Sequence, residues 1–109
     1  MKYTKAAQTV DFTQEQKKKV AVGGKEILLV RVGNDYFAVD NTCTHMGGSL
    51  YNGALEGYNV VCPRHGSAFD VRTGKLAKNG KLAFVKVKPA GLGSYPVKVK
   101  GEDILIGVE

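Results

Sequence analysis

Long apolar runs are missing from this chain. No stretch of its 109 residues approaches the roughly 18 apolar positions needed for a membrane-crossing helix. Nor does an apolar segment follow Met1, which leads into Lys2, Tyr3, Thr4 and Lys5, so no secretory signal is expected and a cytoplasmic location is. Cysteine is equally scarce. With only Cys43 and Cys62, the disulfide framework of a small secreted scaffold is excluded, leaving one disulfide, two thiols or two metal ligands. Acidic residues are in the minority, 10 against 16 Lys plus Arg, and the resulting +6 favours acidic partners without implying nucleic acid or a membrane. Internal repeats, low-complexity tracts and linkers are absent. The 43% apolar and 24% charged content that is present fits one globular domain over residues 1–109.

What the sequence does contain is short β-rich runs separated by Gly, Asn, Asp and Pro, with no competing helical repeat of apolar positions. A mainly antiparallel all-β domain is expected. Residues 27–32 and 36–40 flank Gly33, Asn34 and Asp35, a connection suited to a hairpin; residues 96–100 and 104–108 flank Gly101, Glu102 and Asp103 in the same way. Residues 19–22 and 83–88 are further strand candidates, and residues 11–16 hold one helical turn at most.

The middle of the chain has a different character. Between Asn41 and Gly80 lie seven of the fourteen glycines, both cysteines and both histidines. The expected organisation is therefore a β scaffold, sandwich or barrel-like, made by the two chain ends, with residues 41–80 inserted as a loop-rich subdomain. Two motifs there each pair a soft thiolate with an imidazole: Cys43-Thr44-His45 and Cys62-Pro63-Arg64-His65. Sixteen residues separate His45 from Cys62, enough to leave the site, form a strand near residues 58–61 and return. Four such ligands could hold a tetrahedral zinc, and the ligand count alone does not reject it. Against a finger-type site, each loop here supplies one Cys and one His, which suits a binuclear centre shared by both loops.

The segments NTCTHMGGSL and CPRHGSAFDVRTGK resemble the cluster loops of the Rieske family, whose C-x-H and C-x-x-H motifs stand here as CTH and CPRH. The resemblance implies one 2Fe-2S cluster per chain, with Cys43 and Cys62 on one iron and His45 and His65 on the other. It also implies a Rieske fold, with residues 89–96 as a third loop covering the cluster. Respiratory members carry an additional cysteine in each loop; Gly48 and Arg64 occupy those positions here, so the chain is similar to the disulfide-free Rieske ferredoxins. Of the Ser and Tyr that donate hydrogen bonds to cluster sulfurs in those members, Ser67 is retained and Phe69 replaces the tyrosine. A potential in the lower half of the Rieske range, about −150 to +300 mV, is the consequence.

The function so implied is one-electron transfer without catalysis, from a reductase donor to an oxygenase or another redox acceptor. Alternatives are a noncatalytic Rieske subunit of a larger enzyme, such as a nitrite reductase, and a zinc-stabilised interaction module. Arg64 and Arg72, beside or near the second motif, are candidates for meeting an acidic redox partner, whereas Lys17, Lys18 and Lys19 read as a solvated strand end.

Overall fold

The computed structural model describes residues 1–43, 48–64, 66–78 and 91–109. Among these, eleven strands form three antiparallel sheets. The first joins β1 (Lys2–Gln8), β11 (Asp103–Val108) and β10 (Val97–Lys100), in that order. The second runs β2 (Lys17–Val22), β3 (Lys25–Val32), β4 (Asp35–Asp40), β9 (Ser94–Tyr95). The third runs β5 (Leu55–Glu56), β6 (Asn59–Val61), β7 (Ala68–Asp70), β8 (Leu76–Lys78). The fold is all-β, as the spacing of the apolar runs implies.

Tight hairpins follow from glycine placed where the backbone must turn left-handed. Gly33 (φ 63°) and Gly101 (φ 63°) each open a two-residue loop, because Val32 pairs with Asp35 and Lys100 pairs with Asp103. Both connections are thus one residue shorter than the composition suggests: each aspartate begins a strand instead of closing the turn. The helical turn likewise falls earlier than residues 11–16, at Thr9–Phe12, where the Asp11 carboxylate accepts a hydrogen bond from the Gln8 backbone N–H at 2.9 Å. The candidate strand at residues 83–88 lies outside the described residues.

β3 organises the interior because it is covered on both faces. Ile27 and Leu29 point into one core, with Ala38 of the neighbouring β4, Phe12, and Ile104 and Ile106 of the first sheet. Leu28 and Val30 point into a second, with Val39 of β4, Leu50, Val71, and Val60 and Phe69 of the third sheet. All four β3 residues are fully buried, which explains an apolar run without the alternation of a half-exposed strand. At about 1.5–3 kcal/mol per buried aliphatic side chain, this strand is a principal anchor of both layers. The second core is the one that receives Cys43 and Cys62.

Candidate metal centre

Each cysteine sits at the base of a closed loop. The first loop is tied off by Asn41, which is fully buried just after β4. Its Nδ2 donates to Glu26 Oε1 (2.7 Å) and Ser49 Oγ (2.9 Å), and its Oδ1 accepts from the Tyr51 N–H (2.9 Å). Its backbone donates to Glu26 O (3.1 Å) and accepts from the Leu50 N–H (2.8 Å). Every polar group of this buried amide is therefore paired, so the loop base is held by β3 on one side and by residues 49–51 on the other. Beyond it, Thr42 bridges to Ser49 and the Cys43 N–H donates to Gly48 O at 2.8 Å.

The second loop is the tip of the β6–β7 hairpin. Val61 pairs with Ala68, the Cys62 N–H donates to Ser67 O (2.7 Å), and the Gly66 N–H donates back to Cys62 O (3.0 Å). Gly66 at φ 78° supplies the left-handed bend that this return requires. His45 and His65, predicted as the other two ligands, lie outside the described residues.

The two loops meet. A Cβ on Gly48 would stand 3.4 Å from Cys62 Sγ and 3.1 Å from Arg64 Cγ, so backbone of the first loop lies directly against the sulfur and arginine stem of the second. Cys43 and Cys62, each 2% exposed, share one apolar core with Phe69 and Leu92. Both cysteines thus lie in one core, with the first loop's Gly48 against the second loop's sulfur.

Two buried side-chain atoms, Arg31 Nε and Ser67 Oγ, have no hydrogen-bond partner among the described residues, and Ser67 is the one bonded to Cys62 in the second loop. Ser67 is fully buried, yet its Oγ has no hydrogen-bond partner among the described residues. Burying a hydroxyl without a partner costs about 1–3 kcal/mol, so an acceptor outside the protein's own polar groups fits this position. An inorganic sulfide or a metal-bound thiolate is such an acceptor. The donor set and this orphaned hydroxyl, one residue inside the hairpin tip, both suit a sulfide-containing cluster.

The two arginines differ in setting. Arg64 is exposed beside the site, with its stem over Gly48. Arg72 lies at the far end of β7, where it pairs with Asp70 (Nη2 to Oδ2, 2.9 Å) and stacks over the Tyr58 ring at 4.1 Å. Hydrogen bonding from Arg72 holds the Asp70 carboxyl below its ordinary value, and the Arg72 guanidinium is raised in turn. Its charge is locally engaged, which leaves Arg64 as the arginine next to the centre. Asn41 and Leu92 fall inside the segments that carry the family resemblance, but neither their contacts nor Asp40, which lies outside those segments, is singled out by the sequence.

The family model for the Rieske [2Fe-2S] domain matches residues 2–89. The ferredoxin component of a naphthalene 1,2-dioxygenase system from Pseudomonas aeruginosa is 37% identical over 87 residues, covering 80% of this chain and 77% of that protein. The ferredoxin component of biphenyl 2,3-dioxygenase from Rhodococcus jostii (strain RHA1) is 33% identical, covering 100% of this chain and 95% of its own. Among solved structures, the ferredoxin of carbazole 1,9a-dioxygenase from Nocardioides aromaticivorans IC177 superposes with a TM-score of 0.83 at 27% identity over the full length of both chains. A chain from a complex of reduced oxygenase and oxidized ferredoxin in carbazole 1,9a-dioxygenase matches with a TM-score of 0.80 at 31% identity, covering 95% of this chain and 91% of that one.

Proposed function

This chain belongs to the Rieske [2Fe-2S] domain family, and from that premise we propose that it is the ferredoxin of an oxygenase system, relaying single electrons from a reductase to the oxygenase. The observation that carries this reading is the meeting of two cysteine loops beside a buried serine hydroxyl that has no partner among the described residues, in a chain matched over its length by oxygenase ferredoxins. Full-length similarity to ferredoxin components favours a carrier over a noncatalytic subunit of a larger reductase. Among the described residues no helix is long and apolar enough to cross a membrane. We place its work in the cytoplasm.

Cys43, His45, Cys62 and His65 would hold the cluster, one per chain, which supplies a reversible one-electron couple when bound. Two ferric ions, two sulfides, two thiolates and two neutral imidazoles sum to zero charge, so reduction creates a single negative charge. The protein's task is to hold that change without rearranging. Asn41 fixes the first loop through its paired amide, and the Cys62–Ser67 hydrogen bond fixes the second. The buried Ser67 Oγ–H would be available as a donor to the added charge, and the exposed Arg64 would offer a cation to an acidic docking surface.

Iron, zinc and acid-labile sulfide analysis of the purified chain tests the centre, and reconstitution with a ferredoxin reductase and an aromatic-ring oxygenase tests the role. Two irons and two sulfides per chain with reductase-dependent electron delivery are expected. One zinc without sulfide refutes the cluster; an intact cluster that no reductase reduces refutes the relay.

A further inference from the structure

We propose that Asp40 is a positioning residue, fastening the Leu92–Tyr95 segment between β4 and the β7–β8 turn so that Leu92 seals the core that holds both cysteines against water. The inference rests on the cluster reading above. Asp40 ends β4, three residues before Cys43, and makes three hydrogen bonds to this segment. Its backbone N–H donates to Gly93 O (2.9 Å), its Oδ2 accepts from the Gly93 N–H (2.9 Å) and its Oδ1 accepts from the Tyr95 hydroxyl (2.5 Å).

Among the described residues few other hydrogen bonds hold the segment on that side. β9 consists of Ser94 and Tyr95 alone, paired with Val39 and Ala38, and a two-residue strand is a weak attachment. The other tether is at Leu92, whose N–H donates to Gly74 O (2.7 Å) in the turn that follows β7. The segment thus links the end of β4, at the stem of the first loop, to the β7–β8 turn, and the Leu92 side chain, 6% exposed, lies in the core of Cys43, Cys62 and Phe69.

Both contact points are built for close approach. A Cβ at Gly93 would stand 2.7 Å from Asp40 Oδ2, and one at Gly74 would stand 2.2 Å from Leu92 O, in a backbone already left-handed at φ 80°. Burial, followed by the hydrogen bond to Asp40, pushes the Tyr95 phenol up to about 12, as expected of a hydroxyl committed to a carboxylate. None of the ion pairs among the described residues involves Asp40, so its side chain is satisfied by these neutral donors.

The test compares holoprotein carrying Tyr95→Phe, Asp40→Ala, Asp40→Asn and, as a control in the opposite core, Val22→Ala. Cluster release to a chelator, midpoint potential and amide exchange at Gly93 are read for each. Tyr95→Phe should accelerate release about fivefold, one hydrogen bond's worth at about 1 kcal/mol, and Asp40→Ala should exceed it. Asp40→Asn should recover most of the difference, since its amide oxygen can accept from Gly93 while its NH₂ donates to the phenol oxygen. The potential should rise in Tyr95→Phe and Asp40→Ala because water favours the more negative reduced state, whereas Val22→Ala should lower thermal stability alone. Unchanged release and potential in Tyr95→Phe, or equal effects in Val22→Ala, overturn the proposal. So does an unprotected Gly93 amide in the parent protein, an outcome readable whatever the metal content. A parent chain without iron and sulfide would instead refute the cluster reading on which the inference stands.

Discussion

Replacing Ser67 with alanine deletes one oxygen from the base of the second loop while leaving the Cys62–Ser67 backbone hydrogen bond (2.7 Å) in place. The deleted Oγ is buried and without a partner among the described residues, so two outcomes of opposite sign are possible. If the hydroxyl donates to a cluster or thiolate sulfur, the bond strengthens when reduction adds a negative charge. A hydrogen bond to a charged group contributes about 1.5–3 kcal/mol, and only the part that differs between oxidation states moves the potential. A difference of about 1 kcal/mol corresponds to about 40 mV, because 1.4 kcal/mol is a factor of ten and 59 mV for one electron. Ser67→Ala should therefore lower the midpoint by about 40 mV, with no gain in thermal midpoint. The assay is an optical redox titration of both proteins at one pH with matched iron and sulfide, alongside thermal unfolding of the oxidised forms. An unchanged potential with a thermal midpoint raised by about 4–8 °C would refute the reasoning. That pairing marks relief of about 1 kcal/mol of unsatisfied burial in a domain of this size.

Phe69→Tyr should act in the opposite direction, raising the potential by tens of millivolts, on the order of a fraction of a hydrogen bond to a charged group. Phe69 is fully buried in the core that holds both cysteines; the same redox titration checks this, and a lower thermal midpoint at unchanged potential would mean the phenol found no acceptor. Gly53→Ala should destabilise the fold by about 3 kcal/mol or more in urea unfolding, because its Cβ would stand 1.8 Å from Val61 O, backbone that is itself bonded in β6. Arg64→Glu should slow electron transfer to the oxygenase at low salt and remove much of its ionic-strength dependence in stopped-flow measurements. Arg72→Glu should matter less, since Arg72 is already paired with Asp70 and stacked on Tyr58.

Much of this protein was readable without coordinates where the signal was local. Glycines at the first turn position of two-residue loops mark the hairpins at Gly33 and Gly101, because a left-handed backbone there admits few other residues. The cysteine motifs mark two short turns, which the structure brings together where Gly48 lies against Cys62; the histidines paired with them in the sequence lie outside the described residues. Aspartate after those glycines misleads, since Asp35 and Asp103 are turn formers by composition but strand residues by pairing. What tertiary structure alone decided are contacts between distant segments. Lys2–Gln8 carries few apolar residues, and it is a strand because Lys2 pairs with Val108 at the other end of the chain. Ile27 to Val30 is an apolar run whose division between two cores is set by sheets packing on opposite faces. Asn41, Asp40 and Leu92 serve the site through partners many residues away, such as Glu26, Gly93 and Gly74. Local backbone preference is written in neighbouring residues, whereas the satisfaction of a buried amide or carboxylate depends on which distant backbone the fold delivers to it.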